Sequence, residues 1–266
     1  MRNKQELDAA WEKATSLHRA GRLNEAETIY RQMLASQPSL TQVWHQLGVA
    51  HWLQGRGHEA LLAFDRALAI DPNLSEVLAQ RGELLMQMDR PAEAASSLQR
   101  LVELTPDNAN AWTLLSGALM FHSRGEEALD AQDRALALHP GIADWLINRA
   151  MILQGLKRYD EALESLDKAM AARPNDARAL TVRSVSLAML GRPDAALRDA
   201  DQALAIQPKN PHAHYNRAGV LTDLGRLDDA VAALDQVLAL APDFQEARQR
   251  RDALLERIKT RQAIKH

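Results

Sequence analysis

Cysteine is absent from this chain of 266 residues, so neither a disulfide framework nor cysteine-based catalysis is available to it. Aromatic residues are few, with three Phe and three Tyr against a hydrophobic content of 46%. Alanine and leucine must therefore supply most of the packing, which suits closely approaching helices and points to an all-α class. Neither sign of charge dominates. A net charge of -3 gives no global field for nucleic acid or an anionic membrane, and neither is expected as a partner. No apolar run is long enough to cross a bilayer, so membrane insertion is not expected. The opening Met-Arg-Asn-Lys-Gln-Glu lacks the apolar core of a signal peptide, which makes the cytoplasm the expected compartment. The nine histidines show no His-x-x-x-His spacing, and His212 and His214 project from different sides of a helix, so no metal site is expected. Gly125, Gly155 and the glycines of the Gly-Arg turns punctuate helices rather than form a phosphate loop. No cofactor and no catalytic constellation are expected.

Order enters through proline. Pro38, Pro72, Pro106, Pro140, Pro174, Pro208 and Pro242 recur every 34 residues with no insertion or deletion between them. Proline interrupts helix interiors, so a proline at fixed spacing marks a recurring helix end, and such a period signals stacked helical units. Taking each proline as position 32 divides the chain into seven units, 7–40, 41–74, 75–108, 109–142, 143–176, 177–210 and 211–244. Residues 245–266 remain as a capping helix, giving 15 helices in one elongated domain. Position 20 is alanine in every unit, from Ala26 to Ala230, and position 8 is always Ala, Gly or Ser. Two small columns are what antiparallel helices need where their backbones meet. Positions 4, 7, 8 and 11 of the first half and 20, 24, 27 and 28 of the second repeat the three-to-four spacing of an amphipathic helix. Position 11 is leucine except at His51. Asp252 breaks the small column in the final segment, whose polar outer face suits the end of an array.

These columns, with segments such as WHQLGVAHWLQGR and EALLAFDRALAIDP, resemble tetratricopeptide repeats of bacterial type over residues 7–244. The resemblance implies a right-handed superhelical solenoid of helix pairs. It implies also a concave groove lined by the first helices at positions 2, 5, 9, 12 and 13. Here those columns hold Trp11, His45, Val49, Trp52, Leu53, Met86, Met120, Phe121, Ile147, Asn148, Met151, Val185, Met189, Tyr215 and Asn216. So many large apolar groups on a wetted face suit a peptide or helical segment with apolar side chains. Trp44 and Trp112, at position 4, are expected in the core instead. Gln132 and Ala200 depart from the large apolar residue that the family carries at position 24, where looser packing is expected. The Lys and Asn pattern by which co-chaperone members grip a C-terminal carboxylate is not reproduced.

Position 25 carries Asp65, Asp133, Asp167, Asp201 and Asp235, and sixteen residues later stand Arg81, Arg149, Arg183, Arg217 and Arg251. The two junctions without the aspartate, at Arg31 and Gln99, have Leu47 and Leu115 in place of the arginine. The pattern predicts ion pairs between the second helix of one unit and the first helix of the next, setting register rather than activity. The chain thus reads as a non-catalytic scaffold for a protein or peptide. Two rivals are the recognition module of a glycosyltransferase-like or sulfotransferase-like enzyme, and a self-assembling homo-oligomer.

Overall fold

A computed structural model describes residues 4–121 and 124–263, which form fifteen α-helices and no strand among the described residues. They run α1 (Lys4–Arg19), α2 (Leu23–Ser36), α3 (Thr41–Leu53), α4 (Gly57–Ile70), α5 (Ser75–Gln87), α6 (Pro91–Leu104), α7 (Ala109–Phe121) and α8 (Gly125–Leu138). Then follow α9 (Ala143–Gly155), α10 (Tyr159–Ala172), α11 (Ala177–Met189), α12 (Pro193–Ile206), α13 (Pro211–Asp223), α14 (Leu227–Leu240) and α15 (Gln245–Ala263). Two compact units divide the chain, one up to Ala135 and one from Leu136. In the first, each helix from α1 to α7 packs on its sequence neighbours, and in the second α9 to α15 do the same. First helices also touch directly, α5 on α7, α9 on α11 and α11 on α13.

Each turn from a first helix into the second closes in one way. The N–H of the arginine at position 16 donates to the carbonyl at position 11, as Arg22 to Leu17 and Arg90 to Leu85, both at 2.9 Å. In six of these turns the residue before the arginine is left-handed, Gly21, Gly55, Gly191 and Gly225 without strain, Asp89 and Lys157 at φ of 56° and 60°. Position 16 is arginine in all seven units, from Arg22 to Arg226, and in six of them it is the described N-cap although its side chain cannot accept. In five of the seven units the guanidinium reaches forward instead to an acid in the first helical turn, whereas Arg56 pairs with Glu27 of the preceding unit. Arg22 meets Glu25 at 2.6 Å, Arg90 meets Glu93 at 2.7 Å, Arg158 meets Glu161 at 2.6 Å, and Arg124 pairs with Glu127 likewise. The carboxylate gains from both the cation and the helix N-terminus, although solvent screening leaves such exposed pairs contributing little.

Large and small residues face each other across each pair. A Cβ on Gly48 would lie 2.6 Å from the Phe64 ring, and one on Gly82 would lie 2.7 Å from Leu98. Gln132 and Ala200 are fully covered in the large residue's place. Trp44 and Trp112 depart from the core placement expected of them. Both are half-buried, because each indole N–H donates across the surface to a turn carbonyl, that of Pro38 and that of Pro106, at 2.8 Å. In the same column His214 Nε2 lies 2.9 Å from the carbonyl of Pro208, and Arg248 donates to that of Pro242 at 2.7 Å.

Between units, Arg81 lies 2.8 Å from Asp65, Arg183 3.3 Å from Asp167, Arg217 2.5 Å from Asp201, and Arg251 Nε 2.6 Å from Asp235. The Arg251 N–H is not aimed at that oxygen, so its contact is Coulombic rather than a hydrogen bond. Three arginines use the other prong of the fork within their own unit. Arg81 donates to Ser97 Oγ at 2.6 Å, Arg149 to Ser165 Oγ at 2.9 Å, and Arg183 to both oxygens of Asp199 at 2.7 and 2.9 Å. Where position 7 is leucine, Leu47 and Leu115, the corresponding residue of the second helix is Ala63 or Ala131.

Candidate binding face of the first helices

A first helix turns through about 100° per residue, so its columns fan out from the buried face by predictable angles. Positions 9 and 13 point nearly opposite the centre of that face, while positions 5 and 12 lie about 90–110° from it. Exposure follows these angles only in part, and position 13 is the open column. Leu53, Phe121 and Met189, all at position 13, are 65%, 67% and 59% exposed. Position 5 lies no nearer the buried face than position 12 yet is more covered: His45 and Ile147 are only 2% and 0% exposed and do not line an open face. His45 is instead part of the interior, its Nε2 2.8 Å from Gln80 and its ring 6.3 Å from Phe64. Trp11 and Tyr215, in the same column, are half-buried and pack sideways. Trp11 tilts against Tyr30 at 6.2 Å, and Tyr215 stacks on Phe244 at 5.1 Å.

The half-buried columns 9 and 12 hold Val49, Trp52, Met86, Met120 and Met151. Several of them join neighbouring first helices. Trp52 Nε1 donates to Gln87 at 2.8 Å, linking α3 to α5. Arg178 of α11 donates to Asn148 Oδ1 at 2.6 Å and sits 3.5 Å from the Met151 sulfur, linking α11 to α9. Asn148 and Met151 are therefore engaged within the second unit rather than left open.

One depression on this face, about 180 Å³, lies across α11, α13 and α15. Its walls bring Met189 and Asn216 together with Val185, Gly219, Asp223 and Arg250. Gly219 is what admits the arginine: a Cβ there would stand 3.3 Å from the Arg250 guanidinium. That guanidinium lies over the Tyr215 ring, 5.4 Å from its centre. Among the described residues it makes no hydrogen bond or ion pair. An unpaired cation beside an exposed methionine and a free amide can take a carboxylate and an apolar side chain together. Arg250 and Gly219 escape a reading of the columns because the first belongs to the cap and the second is a missing side chain. Their signal is slight: Arg250 falls at position 6, the column of Asn148 and Asn216.

Among the described residues no group of three or more His, Asp or Glu could hold a metal ion, and no helix is long and apolar enough to cross a membrane.

Sequence models of the tetratricopeptide repeat match residues 12–75, 51–117, 119–186 and 187–258. No curated protein matches the chain. Among solved structures, MamA is 27% identical, covering 64% of this chain and 92% of its own, with a TM-score of 0.59. A tetratricopeptide repeat protein from Parabacteroides merdae covers 94% of this chain and 99% of its own at 16% identity and a TM-score of 0.74, a likeness of fold alone. YrrB, a TPR protein with an unusual peptide-binding site, is 22% identical over 71% of this chain and 98% of its own, with a TM-score of 0.52.

Proposed function

The chain belongs to the tetratricopeptide repeat family, and from that premise we propose that it is a non-catalytic protein-interaction scaffold whose first-helix face binds a peptide or helical segment. The observation that carries this reading is the depression across α11, α13 and α15, where the Arg250 guanidinium makes no ion pair among the described residues and shares the walls with Met189. Its partner is a segment with an apolar side chain for Met189 and Val185 and an acid for Arg250. Asp223, on the same wall, disfavours a second acid close by. That YrrB carries a peptide-binding site is consistent with this use of the fold.

The test is affinity capture from native lysate with wild type beside Met189→Glu/Arg250→Glu, each checked by circular dichroism. Polypeptides retained by wild type are expected to fall at least about tenfold with the double variant. Equal recovery of every polypeptide would overturn the assignment. Phe121→Glu, in the first unit, separates a face used at that exposed ring from one confined to the second unit.

A further inference from the structure

Several residues that break the repeat pattern stand around one crease in the first unit. Where a rung is present, the position 7 arginine spans the gap between consecutive second helices, as Arg81 does from Asp65 on α4 to Ser97 on α6. Between α2 and α4 the corresponding residues are Arg31, Leu47 and Ala63, and a leucine is too short to bridge. The crease stays open as a cavity of about 620 Å³. On the same helix, His51 replaces the leucine of every other unit, is 3% exposed, and leaves Nδ1 without a hydrogen-bond partner. Leu62 is 66% exposed in a column otherwise filled by Thr28, Ser96, Asp130, Glu164, Arg198 and Ala232. The unpartnered His51 nitrogen and the exposed Leu62 are unfavourable for a scaffold alone, and all of these departures line this cavity.

We propose that the α2–α4 crease is a second docking site, taking a protein segment that presents one large apolar side chain next to an acidic one. The cavity has room for a leucine or an aromatic ring against Leu34, Leu47 and Ala63. Its charged members are two guanidiniums, Arg31 and Arg66, to one carboxylate, Glu59. Arg31 already meets Glu27 at 2.8 Å, whereas Arg66 has no ion pair among the described residues, so an incoming acid has a free partner. Exposed Leu62 extends the apolar surface, which favours a protein segment over a small molecule. The site uses α2 and α4, which contribute nothing to the depression on α11, α13 and α15.

The probe is a fluorescein-labelled synthetic helical peptide with Trp and Leu on one face flanked by Glu, compared by anisotropy with its Lys-for-Glu counterpart. Arg31→Asp/Leu47→Arg writes the repeat's own rung into the crease and is expected to weaken binding at least about tenfold. Leu62→Ser, at an exposed position that leaves the fold alone, is expected to weaken it in the same direction. Because the depression on α11, α13 and α15 would take the same chemistry, the crease variants are compared in the Met189→Glu/Arg250→Glu background, which is expected to retain binding at the crease. The proposal fails if the Glu peptide does not bind wild type at millimolar protein, if both crease variants bind undiminished, if the Lys peptide binds equally, or if only the Met189→Glu/Arg250→Glu variant loses binding.

Discussion

At His51 the chain puts an imidazole where its other units bury leucine, and burial holds that group's pKa below 6.5, helped by the Arg56 charge and opposed by Glu27. Burial lowers His18 as well. A depressed folded-state pKa means that the unfolded chain takes up protons first. The stabilisation is whole above about pH 6.5 and is lost as pH falls below it toward the folded value. Urea midpoints are therefore expected to be lower at pH 5.5 than at pH 7.5, with His51→Leu removing part of the difference. If the variant keeps the whole difference, His51 is not the group responsible. Burial also pushes the Tyr30 hydroxyl up to about 12, so that group stays protonated throughout this range. Two backbone positions give opposite expectations. Gly82→Ala drives a methyl into Leu98 and should cost about 1–3 kcal/mol. Lys157→Gly relieves a left-handed residue at φ of 60° and should stabilise by about 0.5–1 kcal/mol. Both are measured by urea denaturation.

Among the elements, the forked arginines decide how strongly one helix depends on the next. Asp199 is only 6% exposed and has Arg183 on both oxygens, so Arg183→Leu strands a buried carboxylate and should cost about 3–5 kcal/mol. Adding Asp199→Ala reproduces the leucine and alanine found at Leu47 with Ala63, and should recover most of that loss. Arg217→Leu, whose partner Asp201 is 51% exposed, should cost under about 1 kcal/mol. The helix pairs were legible because proline, the small columns and the apolar spacing all follow local rules. Four rungs to the preceding unit are legible as an Asp and an Arg sixteen residues apart. The inward prongs have the same offset, 81 to 97, 149 to 165 and 183 to 199, yet were hidden because serine stands in for aspartate in two of them. His45 and Ile147 read from sequence as open-face residues because a column shared across units says which residues are equivalent, not how covered each one is. The size of Trp44 and Trp112 suggests the core, but their N–H groups need a carbonyl and find it at the surface.

For the whole molecule, stability is carried by contacts between sequence neighbours, so damage should stay local. The face of α14 is covered at the C-terminal end by α15, through Ala247 and Leu254 against Leu221, Leu234 and Val237. Deleting residues 245–266 uncovers that cluster. Hydrogen exchange is expected to speed up in α13 and α14 while α1 to α7 exchange at wild-type rates, and uniform acceleration would count against local coupling. The turn carbonyls of Pro38, Pro106, Pro208 and Pro242 accept from Trp44, Trp112, His214 and Arg248 respectively. Those turns ask only for a donor at a given reach, and three chemically unlike side chains satisfy them. Such a position can drift through mutation while the connection it secures persists, leaving indole, imidazole or guanidinium at the surface for a later partner to exploit.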